Sequence, residues 1–503
     1  MDKERRVLFN TLSQYIRTGL NIILSLYSTR IVLEALGDID YGLYSVIAGI
    51  VAMLSFVSNA LVVSTQRYLS YSHGLNDNKV LTKVFSNSLF IHILIGLFLT
   101  FLLLSIESPV ITSYLDIPLD RINAAKIVYI CVVLMISLSF ITSPFRALFI
   151  ARENIVYISI IEVIDGILKV VSAILLTYTD SDKLILYAFL LFSISVFNLL
   201  AFGLYAFLRY DECNLTKVSD IDKHYIKMLT GFASWTLYST GCVVVRTQGI
   251  AVILNRVFGV FLNAAYGIAQ QVSGALMNVA QAIANSLSPQ IIKAEGENNR
   301  AKMIFLASIE CKYSYLLLAM VSIPLIFKMS FILEVWLKDV PDNAVMFCNM
   351  VIIAGMCDTL TGGLGIANQA IGKIKYYSII FGTLKILTLP IAYIIVKIDK
   401  NPYNIMLTFV LFELFSAIIR IFFIRSTAGL NVAFFVKKIV LPSLYGTFAT
   451  IGTCFAIEHL LIWRYNIVIL IPASIIVVAI VVYYTMGSEE KIIIKRICHR
   501  GAC

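Results

Sequence analysis

Two arginines stand inside stretches apolar enough to lie in a membrane. Arg17 sits in NTLSQYIRTGLNIILSLYSTR and Arg246 in SWTLYSTGCVVVRTQGIAVIL. A guanidinium is a rigid fork of donors that matches phosphate or carboxylate in two-point contact. Placing one near mid-membrane costs on the order of 2.5–3.5 kcal/mol on insertion scales, so each should face a cavity or a polar partner rather than lipid. Each belongs to a polar stripe at helical spacing. Asn10, Gln14, Arg17, Asn21, Ser25 and Ser28 fall within an arc of roughly 80° at 100° per residue. Trp235, Ser239, Cys242, Arg246 and Gly249 repeat the pattern.

Two further stripes carry amides and hydroxyls: Gln271, Gly274, Asn278, Gln281, Asn285 and Ser288 in one, and Ser55, Asn59 and Gln66 in the other. Such groups suit hydrogen bonding to sugars, and they equally serve as glue between helices in lipid. A third kind of chemistry lies in Glu162, Asp165 and Lys169, which share one face of an apolar run. Two carboxylates and an ammonium on one buried face form either a closed ion network or a site completed by a proton or cation. Asp358, Lys385, Glu413 and Arg420 raise the same choice later in the chain. Arg30 is explained by a local ion pair with Glu34 one turn on. For His92, Glu310 and Lys312 a satisfied or interfacial group is the default reading.

The elements that must hold these residues are membrane helices. The chain has 503 residues, 59% hydrophobic and 14% charged, with a mean hydropathy of +0.87, against about 25% charged in ordinary soluble domains. Apolar runs of the roughly 20 residues that a span requires recur fourteen times, from 11–33 to 466–485, the last two being the least regular. The basic start MDKERR precedes a run too long and interrupted for a signal peptide, with no cleavage site behind it. With that end inside, the 40 Lys and Arg gather on the inner loops, which places both termini in the cytoplasm. The net charge of +10 is spread over short loops without a basic stripe, which argues against a nucleic-acid partner. The nine cysteines are scattered without metal spacing and read as reduced packing residues; neither a metal nor a cofactor is expected. No P-loop, HExxH or outer cluster of acids and histidines is present, so the chain reads as a secondary transporter and not an enzyme.

The polar segment RYDECNLTKVSDIDKHYIK divides the chain. The expected layout is an N-lobe of six helices over 1–208, a cytoplasmic linker at 209–227, a C-lobe of six helices over 228–425, and two more helices with a basic tail over 426–503. A slide of 222 residues superposes Gly19 on Gly241, Gly37 on Gly259, Tyr44 on Tyr266, Ser64 on Ser286 and Asn76 on Asn298; near 220, Tyr157 meets Tyr377. Six helices separate the copies, so the halves should be a parallel repeat about an axis along the membrane normal.

The opening NTLSQYIRTGLNIILSLYSTRIVLEALGDIDYGLYSVIAGI, the turn RYLSYSHGLND, the stretch GVFLNAAYGIAQQVSGALMNVAQAIANSLSPQIIKAEGENN and the 6+6+2 layout together resemble the polysaccharide-transporter branch of the multidrug/oligosaccharidyl-lipid/polysaccharide exporter superfamily. Bacterial O-antigen or capsule repeat-unit flippases are the members it most resembles. The resemblance implies an all-α, MATE-like integral membrane fold: a V of two six-helix lobes around a central cavity, working by alternating access in the bacterial cytoplasmic membrane. It implies a polyprenyl-diphosphate-linked oligosaccharide as cargo, with H+ or Na+ and the polysaccharide assembly machinery as further partners. Under it, Arg17 is the position matching a diphosphate-binding arginine; Arg246 joins it from the stripe. Gln14, Asn21, Asn59, Ser239, Gln271, Asn278 and Gln281 would line the sugar cavity, and Glu162, Asp165, Lys169, Asp358 and Glu413 are the ion-coupling candidates. Two other readings stand beside this one. A multidrug antiporter of the same superfamily should have a cavity of acids and aromatics with its basic groups paired off; a membrane glycan-modifying enzyme should cluster reactive side chains at a leaflet surface.

Overall fold

The computed structural model describes residues 3–52, 54–109, 111, 117–214, 220–258, 260–337, 340–460 and 467–487. Every regular element among them is helical. The first helix, α1 (Lys3–Ala52), breaks at Gly37, where φ is 75°. It is followed by α2 (Ser55–Leu75), α3 (Asn78–Ser105), α4 (Ile122–Ala151), α5 (Ile155–Thr177) and α6 (Lys183–Arg209), and then by α7 (Lys223–Phe258), α8 (Val260–Gly296) and α9 (Arg300–Phe327). The bent pair α10 (Ala344–Thr359) and α11 (Gly362–Ile371) turns by 42°. The rest are α12 (Ile374–Ile398), α13 (Pro402–Ala428), α14 (Val432–Leu460) and α15 (Ile467–Thr485).

Among the described residues, ten helices are long and apolar enough to cross a membrane, or eleven with the bent pair taken as one span. This is fewer than the fourteen expected from the apolar runs. The difference has a physical source: α2 and α8 are rich in amides and hydroxyls, and α5 carries Glu162, Asp165 and Lys169 close together. Length alone makes them span-sized; their side chains demand polar partners. The exposed surface of the other helices is dominated by Leu, Ile, Val and Phe, as in α3 with Leu97, Phe98 and Phe101, the composition a hydrocarbon surrounding selects.

Phe9–Leu237 form one compact unit and the chain from Tyr238 onward forms the other. In the first unit α4 lies at the centre, touching α2, α3 and α6. Its Phe140, Phe145, Leu148 and Phe149 join Phe85 of α3 and Phe202 of α6 in the core. The helix runs straight through Pro144, which is buried inside it. In the second unit α9 takes the central place, against α8, α11, α14 and α15. The last two helices pack on α9 and on each other, with Tyr315 Oη hydrogen-bonded to Thr447 Oγ1 at 2.9 Å.

The internal repeat is written in the helix ends. Asn76 and Asn298, 222 residues apart, both adopt the left-handed region, φ 55° and 54°. The next residue in each case caps the following helix: Asp77 accepts from the Lys79 N–H at 3.0 Å, and Asn299 from the Lys302 N–H at 3.0 Å. The capped helices, α3 and α9, each have 28 residues. Further along, Asp182 caps α6 and Asn401 caps α13, each helix with 27 residues. A side-chain oxygen at these points satisfies N–H groups that the first turn leaves open, so the sequence marks the same starts twice.

Two polar clamps tie the first unit at its ends. Arg121 donates from Nε to Asp40 Oδ1 at 2.9 Å and from Nη1 to Asp182 Oδ2 at 2.8 Å. The hydrogen bond it donates to Asp40, together with the charges of both acids, holds its guanidinium above the ordinary arginine value. Arg152 grips Glu212 through two hydrogen bonds of 2.8 Å each. The segment expected as a linker is thereby anchored: Asp211–Asn214 is a short helix, Asn87 Nδ2 donates to the Asp220 carbonyl at 2.8 Å, and Lys223–Lys227 already belong to α7. Beside Glu212, burial pushes the Cys213 thiol up to about 12, which leaves no thiolate for chemistry near neutral pH.

Candidate functional site

Each unit contains a polar cavity whose charged side chains come from different helices. In the first unit a cavity of about 390 Å³ is lined by α1, α4, α5 and α6. Glu162 of α5 sits between two arginines: Oε2 pairs with Arg17 Nη1 at 2.7 Å, and Oε1 accepts from Arg146 of α4. One turn further, Asp165 Oδ2 meets Lys169 Nζ at 2.7 Å, and its Oδ1 accepts from Asn198 Nδ2 of α6 at 2.7 Å. Arg17, Arg146 and Lys169 thus face two carboxylates. The side chains of Arg146 and Lys169 are 44% and 48% exposed, against 18% for Arg17.

Helix α1 reaches this cluster because α5 has no side chain at Gly166. A Cβ there would stand 2.9 Å from Asn21 Oδ1 and 3.0 Å from Leu24 Cδ1. The close approach brings Asn21 into the cavity wall and Arg17 within reach of Glu162.

In the second unit a cavity of about 440 Å³ is lined by α7, α8, α10, α12 and α13. Its five charges make one continuous chain of alternating sign. Arg246 Nη1 meets Glu413 Oε1 at 2.5 Å, and Lys385 binds the other Glu413 oxygen. Lys385 Nζ lies 3.7 Å from Asp358 Oδ1, which accepts from Arg420 Nη2 at 2.9 Å. Arg420 Nη1 also donates to the Thr361 hydroxyl at 2.9 Å. Aromatic faces complete the wall: the Arg246 guanidinium stands 4.2 Å over Phe409 and that of Arg420 5.4 Å from Phe381. Glu413, Arg246 and Arg420 are almost fully covered, whereas the Asp358 side chain is 45% exposed toward the opening.

The other residues singled out from the sequence are distributed as follows. Gln14 is buried and Asn59 is exposed on α2. Ser239 lines the second cavity. Gln271, Asn278 and Gln281 are exposed, and the α8 side that lines the cavity carries Gln270, Ser273, Gly274 and Met277 instead. Gln271 and Asn278 are therefore rotated by about 80–100° from Gln270 on the lining face, whereas Gln281 shares its angle but lies beyond the cavity lining. Gln281 Nε2 donates to Asn285 Oδ1 at 3.0 Å along its own helix. Arg30 and Glu34 are both exposed and form no ion pair with each other among the described residues, which corrects the local pair expected from their spacing; at an exposed helix end such a pair is worth only a few tenths of a kcal/mol.

Arg146 and Asn198 were not among the candidates. SPFRALFIAREN reads as a basic inner turn around Arg146 and Arg152, yet the helix continues through Pro144 to Ala151, which puts Arg146 on the cavity wall. Asn198 had a usable signal: it is a lone amide in a 27-residue apolar helix. Among the described residues no cluster of His, Cys, Asp and Glu is arranged to hold a metal ion.

No family model and no curated protein sequence matches the chain. Solved structures do. A MATE transporter crystallised in the bent conformation is similar at a TM-score of 0.74 and 13% identity, over 85% of this chain and 96% of that one. A MATE transporter in complex with MaL6 gives 0.71 at 13% identity, over 85% and 97%. A MOP superfamily transporter from Pyrococcus furiosus Vc1 (DSM3638), for which a reversed polarity of the binding pocket is said to suggest a different function, gives 0.69 at 13% identity, over 86% and 97%. The chain has the MATE-like all-α membrane fold over most of its length.

Proposed function

We propose that this chain is a MOP superfamily transporter and that its cargo is an oligosaccharide carried on a polyprenyl diphosphate, moved across a bacterial cytoplasmic membrane with both termini inside. The half-exposed cations of the first cavity carry this reading. Arg17, Arg146 and Lys169 stand against only Glu162 and Asp165, and the two half-exposed cations, Arg146 and Lys169, are open to a ligand. An arginine fork and an ammonium about the same cleft suit a diphosphate, while Asn21, Ser195 and Asn198 in the same wall suit sugar hydroxyls. The original assignment to Arg17 and Arg246 is thereby refined. Both are held by carboxylates, so Arg17 would act by exchanging Glu162 for phosphate, and Arg246 would act through its grip on Glu413. In this scheme 1–208 and 228–425 are the working lobes, with 209–227 joining them and 426–503 an accessory region.

The chain reconstituted in vesicles with a fluorescent undecaprenyl-diphosphate oligosaccharide tests the proposal. Arg146→Gln with Lys169→Gln should slow flipping at least tenfold; an unchanged rate would exclude the cavity as the diphosphate site. One observation favours the antiporter reading instead. In the second cavity the cations are paired and largely covered, and aromatic rings line the wall, the pattern expected for a lipophilic cation exchanged for H+ or Na+. Export of such a cation from the same vesicles, with no flipping of the lipid-linked glycan, would decide for it. New covalent bonds in the recovered glycan would decide instead for a glycan-modifying enzyme.

A further inference from the structure

Glu310, on the central helix α9, is 2% exposed and has no ion-pair partner among the described residues. Its Oε1 accepts from the Ser314 hydroxyl at 2.9 Å. Its Oε2 is buried against the Gly363 backbone and has no side-chain partner among the described residues. The carboxyl group lies against the first turn of α11, just past the break with α10. A Cβ at Gly363 would collide with Oε2 and with the Ala307 carbonyl oxygen, so Gly363 is a cradle that only a residue without a side chain permits.

The surroundings limit what can occupy this place. The charged and titratable groups about Glu310 are Arg420 of α13 and Asp358 of α10, with Cys311 beside it on α9. Lys312, also on α9, is turned away and donates to the Thr485 carbonyl of α15 at 3.1 Å. From α8 comes only the Ala280 carbonyl, 3.5 Å from Ser314 Oγ. From α12 the Tyr377 hydroxyl approaches α11 at Gly365. Arg420 and the N-terminus of α11 both raise the local potential, which opposes any cation, and most of all a metal ion that would need further ligands here. Against this stands burial: a carboxylate with no salt-bridge partner, taken this far from water, costs several kcal/mol. A proton, bound covalently to oxygen, removes that cost without further ligands.

We propose that Glu310 is a proton-binding site built into the α10–α11 break. Arg420 holds the other side of the break through Thr361 and Asp358, and its own Nε is likewise buried without a partner. Ionised Glu310 competes with Asp358 for Arg420; protonated Glu310 leaves that pair closed. The proton, taken from and returned to water, is thereby linked to the exposed carboxylate of the second cavity. This does not depend on which cargo is carried.

Infrared difference spectra of the purified full chain in lipid nanodiscs, taken between acid and alkaline pH, test it. A protonated-carboxyl C=O band should appear on acidification, vanish in Glu310→Gln and persist in Asp358→Asn. Ser314→Ala removes the hydrogen bond to Oε1 and should move the band to higher frequency, which keeps the test open should Glu310→Gln fold poorly. The proposal is overturned by absence of the band in the native chain, by its survival in Glu310→Gln, by its loss in Asp358→Asn, or by an unmoved frequency in Ser314→Ala.

Discussion

The two cavities contain the same inventory, three cations and two carboxylates, arranged in opposite ways. In the first unit both acids sit on one helix, α5, a turn apart, and the charges split into an Arg17–Glu162–Arg146 triad and an Asp165–Lys169 pair. In the second they sit on different helices, α10 and α13, and all five charges join in one chain. Burial follows the wiring. Arg146 and Lys169 are nearly half exposed, whereas Arg246, Arg420 and Glu413 are covered. A chain of mostly buried charges is costly to break and holds helices in fixed relation; a cluster with half-exposed cations is better suited to an arriving anion. The two units thus share helix starts and a charge inventory but differ in how the charges are wired and covered.

That contrast can be broken most forcefully at Glu413. Glu413→Gln leaves Arg246 and Lys385 facing one another without their shared acid, and should cost about 3–5 kcal/mol, seen as a large fall in the thermal unfolding midpoint in detergent. A loss no greater than that of an exposed pair would mean the chain of charges is not a structural clamp. Gly166→Ala comes next. The added methyl group meets Asn21 and Leu24, and overpacking of this kind costs about 1–3 kcal/mol. It should also part Arg17 from Glu162, so faster labelling of a cysteine placed at Asn21 would accompany the loss of stability.

Glu162→Gln should be milder for stability, about 1 kcal/mol, because its partners reach water. Freeing Arg17 and Arg146 should raise affinity for pyrophosphate several-fold by calorimetry, while flipping slows as release becomes harder. Weaker binding in this variant would contradict the open-cluster reading. The smallest change is expected for Lys169→Met, within about 0.5 kcal/mol in stability, with a weakened response of pyrophosphate binding to added salt, since one screened cation is gone. A destabilisation equal to that of Glu413→Gln would erase the distinction between the cavities.

The position of Glu310 extends the comparison. At an offset of 222 residues it corresponds to Ser88, and Ser314 to His92. His92 is buried, its Nδ1 lies 2.8 Å from the Ser88 carbonyl, and its Nε2 has no partner. Each unit therefore places one titratable group and one hydroxyl a turn apart on its corresponding helix, with the order reversed.

Much of the architecture was legible in the residues. The apolar runs located the helices, because a segment in lipid must be apolar around its surface and must satisfy its own backbone. The 222-residue register foretold paired helix starts at Asn76 and Asn298, since a left-handed Asn followed by a capping side chain is a local property of sequence. The charged residues inside apolar runs, Arg17, Glu162, Asp165, Lys169, Asp358, Glu413 and Arg246, all came to line or support a cavity, because burying each alone is too costly. Three things were decided only by tertiary structure. Spacing along α8 fixed a polar face but not its rotation, so Gln270 rather than Gln271 lines the cavity. The helix running through Pro144 turned Arg146 from a loop residue into a cavity wall, since packing by Phe145, Leu148 and Phe149 overrides the proline. And the choice of partner, Glu162 for Arg17 and Glu413 for Arg246, depends on which helices touch: sequence states that a buried charge needs a counter-charge, and only the fold selects which one it meets.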